Sequence, residues 1–226
     1  MDNLVPAYRA LVQLEDKTLK FLHDVLSQRE MFWHGEGQVK KYWSKPHPDC
    51  FSFSTYWDVI YRCKGCHVFL GAVIKKRHGG EQVANSTYFM SIVERTNQRK
   101  RILRQFHFDY VTERQDRRQA HPRLHLQYCG RFPPAMTELG INDEDMKLLQ
   151  PDVDGPRIFF RPMTLALLMN IAFYEFPGGE IDEVRKRGEW QNLVRENEKV
   201  VLRPFYECCA RLAGKEKSIF FDKVYV

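Results

Sequence analysis

Between residues 51 and 129 apolar and polar side chains alternate in five runs joined by short connections, and this pattern limits the fold more than any other feature of the chain. Successive side chains of a strand point to opposite faces, so alternation marks a strand with one face turned to a core. Phe51, Phe53, Thr55, Trp57, Val59 and Tyr61 take alternate positions over residues 51–62. Residues 67–76, 85–94, 102–111 and 123–129 supply the second to fifth strands. Lys64-Gly65 reads as the first turn, Gly79-Gly80 opens the second connection, and residues 97–100 form a basic turn. Parallel neighbours need a long crossover, whereas antiparallel neighbours need only a turn. The expectation is an α+β fold: a five-stranded antiparallel meander with an N-terminal helix and C-terminal helices packed on one face.

The flanks read as helical. Over residues 6–29, Tyr8, Leu11, Val12, Leu19, Leu22 and Val25 recur at helical spacing. Residues 31–48, rich in Gly, Pro, Trp and Lys, predict an ordered loop, with Trp33 and Trp43 either in a core or anchoring a protein partner. Beyond the sheet, Pro133-Pro134 stops the last strand, residues 142–149 predict a short acidic helix, and 151–161 look irregular. Residues 164–176 predict a buried helix ended by Pro177-Gly178-Gly179. Residues 181–212 carry a long charged helical pattern that Pro204 must kink or split. A chain of 226 residues, 43% hydrophobic and 13% aromatic, fits one domain spanning residues 1–226. No apolar run approaches the roughly 18 residues of a bilayer span, and Asp2, Glu15 and Asp16 do not suit a leader or transit peptide, so a cytoplasmic protein is expected.

Chemistry concentrates in residues 106–129. Phe106, Phe108 and Tyr110 share one face of their strand, and His107 and Asp109 the other. Leu124, Leu126 and Tyr128 likewise stand opposite Arg123, His125 and Gln127. A symmetric antiparallel register sets His107 opposite His125 and Asp109 opposite Arg123. Two imidazoles with a carboxylate and a guanidinium suit acid–base cleavage of a phosphodiester: one imidazole takes the proton of a 2′-hydroxyl and the other protonates the leaving oxygen. Arg123 would balance charge on the phosphorane, Asp109 would orient an imidazole, and His121 at the strand's start is held in reserve. The same residues have two other readings. One is the polar solvent face of an ordinary sheet; the other is a metal site of His107, His125 and either Asp109 or His121.

Charge is unevenly spread. The formal net charge is +6, and residues 95–123 alone hold nine Arg and Lys against Asp109, Glu113 and Asp116. Residues 138–154 run the other way, with six acids and one lysine. Arg99, Lys100, Arg101 and Arg104 on one turn, with Arg114, Arg117 and Arg118 on the next, form a surface suited to phosphates. Nucleic acid, RNA above all, is the expected partner, with an acidic protein surface or a second copy of the chain as the alternative. The function expected is RNA binding with metal-independent ribonuclease action. Its rivals are a non-enzymatic interaction subunit and a metal-dependent enzyme using the same histidines.

The run Phe108-Asp109-Tyr110, a polar loop, then His121-Pro122-Arg123-Leu124-His125-Leu126-Gln127, and later Phe173-Tyr174-Glu175-Phe176-Pro177, resembles uncharacterised bacterial families found near toxin–antitoxin and phage-defence genes. The resemblance covers about residues 101–177. Those families carry an H-P-x-x-H-L-H strand, and Gln127 stands here where they have the last histidine. The resemblance implies weight on His121 and His125 and a role in a toxin–antitoxin or defence assembly.

The cysteines add little. Cys63-Lys-Gly-Cys66 has knuckle spacing, and His47 and Cys50 precede it, so a zinc set is conceivable. An extended strand from 51 to 62 would hold Cys50 roughly 40 Å from Cys63, and a cysteine pair flanking a hairpin turn is the simpler reading. Cys208-Cys209 reads as core thiols on a helix. No cofactor is expected. Walker, dinucleotide, serine-hydrolase, zincin and zinc-deaminase motifs are all missing from the sequence.

Overall fold

The alternating runs form one antiparallel sheet. The computed structural model describes residues 5–26, 50–61, 64–95, 100–112, 123–128, 157–176 and 179–214. Its strands are β1 (Cys50–Tyr61), β2 (Lys64–Lys76), β3 (Val83–Arg95), β4 (Lys100–Val111), β5 (Leu124–Tyr128) and β6 (Arg157–Phe159), in spatial order one to six. The five-stranded meander expected from alternation is therefore present. The sixth strand lies in a stretch that reads as irregular, because three residues are too few to display a period. It forms on the outer edge of β5, where unpaired backbone groups template another strand: His125 pairs with Phe159, Leu126 with Ile158 and Gln127 with Arg157.

Two turns differ in how well they were anticipated. Pairing of Tyr61 with Lys64 puts Lys64-Gly65 inside β2 and moves the first connection to residues 62–63, outside the described residues. The second connection is as the glycines suggest. Arg77 and Gln82 close it with a 2.8 Å backbone bond, and Gly79 sits at φ +71°, a conformation that disfavours a side chain.

Helix α1 (Tyr8–Leu26) is tied to this turn by Tyr8 N–H donating to Glu81 O at 2.8 Å. Leu11, Leu14, Glu15, Thr18 and Leu22 form its buried stripe, at the three- and four-residue spacing of one helical face. Helix α2 (Leu165–Glu175) is nearly all apolar, as befits a helix between a sheet and further helices. The Thr164 side chain caps its start by accepting from Leu167 N–H at 3.4 Å. Both helices pack on β2, and α2 also on β3. Behind them lie α3 (Gly179–Lys186) and α4 (Gly188–Asn197), with Trp190 of α4 against Phe173 and Phe21 at ring separations of 5.2 and 5.6 Å.

The charged C-terminal pattern divides at one place more than expected. It breaks at Arg187, whose backbone is extended, and is interrupted a second time ahead of Pro204. Ahead of Pro204 the chain makes a π turn, Glu198–Leu202, in which Arg203 N–H reaches Glu198 O, and the helical path continues into α5 (Arg203–Ala213). Proline has no N–H to give and crowds the preceding turn, and widening that turn accommodates it.

One core joins the layers. Val68, Leu70, Ala72 and Ile74 of β2, Tyr88 and Met90 of β3, Phe108 and Tyr110 of β4 and Leu124 of β5 meet α1 and α2 there. Glu15 lies fully buried within it. Its Oε1 accepts from the Tyr88 hydroxyl at 2.6 Å, and Leu165 N–H donates to both carboxyl oxygens at 3.1 and 3.3 Å. Burial dominates these donors and pushes the Glu15 carboxyl from 4.5 up to about 8.

The sheet's second face is not bare, contrary to the idea of a polar solvent face. Phe69, Phe89 and Val93 are buried on it, apart from the main core cluster, and Ser91 is 0% exposed. Central strands with aromatics on both sides cannot leave either side in water. No helix among the described residues is long and apolar enough to cross a membrane. The predicted loop at 31–48 and acidic helix at 142–149 lie outside the described residues.

Candidate functional site

The alternation on β4 and β5 places Gln105, His107 and Asp109 on one face with His125 and Gln127, opposite the core residues Phe108, Tyr110 and Leu124. The register differs from the symmetric one by two residues. Asp109 stands opposite His125, and His107 opposite Gln127. A two-residue shift leaves every side chain on its face but changes its partner. Asp109 thus meets an imidazole where Arg123 was expected, and the two histidines lie diagonally rather than face to face.

Asp109 is the hub. Its Oδ1 accepts from the Thr87 hydroxyl at 2.6 Å, across from it on β3, and its Oδ2 lies 3.4 Å from His125 Nε2. The second contact is an ion pair when the imidazole is protonated. His125 is 3% exposed and Asp109 16%. Nearby, His107 Nε2 lies 2.6 Å from Gln105 Nε2. With the amide donating, the ring nitrogen must be the unprotonated one. Burial holds His107 below the usual histidine range, Asp109 pulls the other way, and His125 adds to the lowering. His107 is therefore neutral near pH 7, a lone pair fixed by an amide, beside an imidazole backed by a carboxylate. A neutral imidazole next to one in contact with a carboxylate suits a base and an acid.

Arg123 immediately precedes β5, and its backbone carbonyl accepts from Val111 N–H at 2.8 Å. Its Nε is buried without a hydrogen-bond partner. The Arg123 charge acts on Tyr110, a residue of the core face.

The basic residues are distributed less simply. Arg104 alternates with Gln105, so it sits on the other face of β4 from His107; it is exposed and donates to Leu103 O at 2.7 Å. A bulge at Leu103 in the pairing with Ile92 and Val93 keeps it near the strand's end. Lys100 and Arg101 occupy β4 positions opposite Arg95 and Glu94. Arg99, Arg114, Arg117, Arg118 and His121 lie outside the described residues, as does Cys63 of the knuckle-like pair. Cys66 is buried, and Cys208 is buried as expected of a core thiol. Among the described residues no three of His, Cys, Asp and Glu come together in a way that could hold a metal ion, so His107, His125 and Asp109 do not form the facial set.

Two members of the cluster escaped the sequence reading. Gln105 was legible, since it shares the alternation of His107 two positions on. Thr87 was not, because only the β3–β4 register brings it to Asp109. No protein-family model, curated protein or solved structure matches this chain, so its functional reading rests on this geometry.

Proposed function

We propose that the chain is a cytoplasmic RNA-binding protein that cleaves phosphodiesters by metal-independent acid–base chemistry on the His face of its sheet. The observation that carries the reading is the pairing of a neutral, Gln105-held His107 with the Thr87–Asp109–His125 chain. Once the Gln105 amide gives up its hydrogen bond, His107 Nε2 takes the proton of the 2′-hydroxyl, O2′ attacks phosphorus, and the P–O5′ bond breaks. His125, protonated and backed by Asp109, returns a proton to the leaving O5′, and a 2′,3′-cyclic phosphate remains. Arg123, directly before β5, stabilises the non-bridging oxygens. The basic residues around β4 would hold the strand, with affinity falling steeply as salt rises.

A second reading draws on one observation: both imidazoles are nearly closed off, at 6% and 3% exposure. In it the network only fixes the sheet, and the chain is an interaction subunit of a toxin–antitoxin or defence assembly that meets an acidic protein surface.

Labelled RNA and DNA pools incubated with wild type, His107→Gln and His125→Gln, each with and without EDTA, separate the two. The ribonuclease reading expects RNA cleavage that survives EDTA, yields cyclic phosphate ends and is lost in both variants while their melting curves stay cooperative. No cleavage by folded wild type refutes it and leaves the interaction reading. Cleavage abolished by EDTA refutes the metal-independent step.

A further inference from the structure

The helical layer carries a second polar feature, on the side of the sheet away from His107 and His125. Helices α2, α3 and α4 enclose a groove of about 590 Å³, within the range of small-ligand sites. Arg185 and Lys186 of α3 and Arg195 of α4 line it with Asp182 as the one acid, an excess of two positive charges. Its wall is Tyr174, 63% exposed, with the Arg185 guanidinium carbon 3.7 Å from its ring centroid. Its floor is Trp190, 1% exposed, whose indole N–H donates to Asn170 Oδ1 at 3.4 Å. That bond sets the Asn170 amide so that its Nδ2 protons are the donors left for a ligand.

We infer that this groove binds a nucleotide, either free or as part of a strand. A nucleobase extends the Arg185–Tyr174 stack on a ring that is otherwise in water, as bases do on exposed aromatics. Arg195 and Lys186 receive the phosphate, and Asn170 Nδ2 donates to a base or ribose acceptor. The present partners of these cations are weak competitors: Lys186 meets exposed Glu183 within one turn, and Arg195 meets Asn192 and the Gln191 carbonyl. An acidic peptide would satisfy the charge but has no use for the stacked ring. Tyr174 is therefore the residue that separates the two ligands.

The inference does not depend on the ribonuclease reading, since Tyr88 and Phe108 point to the helices while Asp109, His107 and His125 occupy the other face. Calorimetric titration of the full chain with AMP, GMP, CMP, UMP, inorganic phosphate and a short 5′-phosphorylated RNA tests it. Saturable binding of at least one nucleotide is expected, weakened about tenfold by Tyr174→Ala and by Arg195→Ala. Both are exposed positions where the fold tolerates change. The same binding should persist in His107→Gln. RNA binding that needs Tyr174, exceeding that of the free nucleotides, assigns the groove to a strand. No nucleotide binding by folded protein overturns the inference, as does binding indifferent to Tyr174→Ala, which marks an anion or acidic-peptide patch instead.

Discussion

Glu15→Gln is the sharpest probe of this architecture, because one buried carboxyl joins α1, β3 and the start of α2. Its folded value of about 8 lies above the 4.5 of an unperturbed glutamate, so burial favours the protonated form. The stability this carboxyl contributes is whole below about pH 4.5 and is lost as pH rises through about 8. Three and a half pH units at about 1.4 kcal/mol each correspond to about 5 kcal/mol. The N-terminus of α2, which favours an anion, returns up to about 2 kcal/mol, leaving a net loss of about 3 to 5 kcal/mol at pH 9. Glutamine is the isostere of the protonated acid. Its carbonyl can still accept from Tyr88, and it never ionises. Urea unfolding at pH 5, 7 and 9 should therefore show the variant within about 1 kcal/mol of wild type at pH 5 and about 3 to 5 kcal/mol more stable at pH 9. Titrating groups remote from Glu15 are common to both chains and drop out of the difference, while the Asp16 charge, which raises the Glu15 carboxyl, is already within its value of about 8. A variant less stable than wild type at pH 9 would refute the reasoning. It would mean that Tyr88, Leu165 N–H and the helix end outweigh desolvation and hold the carboxylate ionised in the native state.

Three further outcomes follow from the same geometry. His107, held low by burial, contributes stability that is whole above pH 6.5 and is lost as pH falls through its lowered folded value; the gap between wild type and His107→Gln in urea unfolding should narrow from pH 7 to pH 5, and a constant gap would contradict a buried neutral imidazole. Asp109→Asn keeps an oxygen for Thr87 but turns an amide toward His125 Nε2, so stability should fall by about 2 kcal/mol and the His125 imidazole resonances should shift in nitrogen-detected NMR; unchanged resonances would argue against the contact. In α2, Leu168→Ala removes a side chain with no exposure and should destabilise by about 2 to 5 kcal/mol, whereas loss of the cap in Thr164→Ala should take about 1 kcal/mol; equal effects in chemical denaturation would show that α2 is not the packed centre of the helical layer.

Much of the candidate site could be read before the fold was known, and what could not be read has definite causes. Placement of His107, Asp109 and His125 on one face needs only a period of two. Gln105 follows by the same count. Their partners need a register, and the connection from Val111 to Arg123 carries no pattern that sets one. The symmetric pairing and the observed one differ by two residues, so both satisfy the core equally, and side-chain identity along the strands cannot choose between them. Arg104 shows the opposite failure: grouped by sequence with the basic turn, it falls on the other face from His107 because strand alternation outranks proximity along the chain.

By itself the sequence determined the order of elements: an amphipathic helix, five alternating strands, an apolar helix and a charged helical tail. Those are local consequences of hydrophobic period and of glycine and proline, and they survive any rearrangement in space. Tertiary structure alone decided which polar residues are buried. Glu15 sits on the buried stripe of α1, at helical spacing from Leu11 and Leu22, yet nothing in that spacing announces Tyr88 or the end of α2 as its donors. The three residues of β6 become a strand only because β5 offers an open edge. His107 and His125 are buried on the same face as Phe69, Phe89 and Val93, which their own alternation does not reveal. Burial is a property of what lies across from a residue, and a one-dimensional pattern records only what lies beside it.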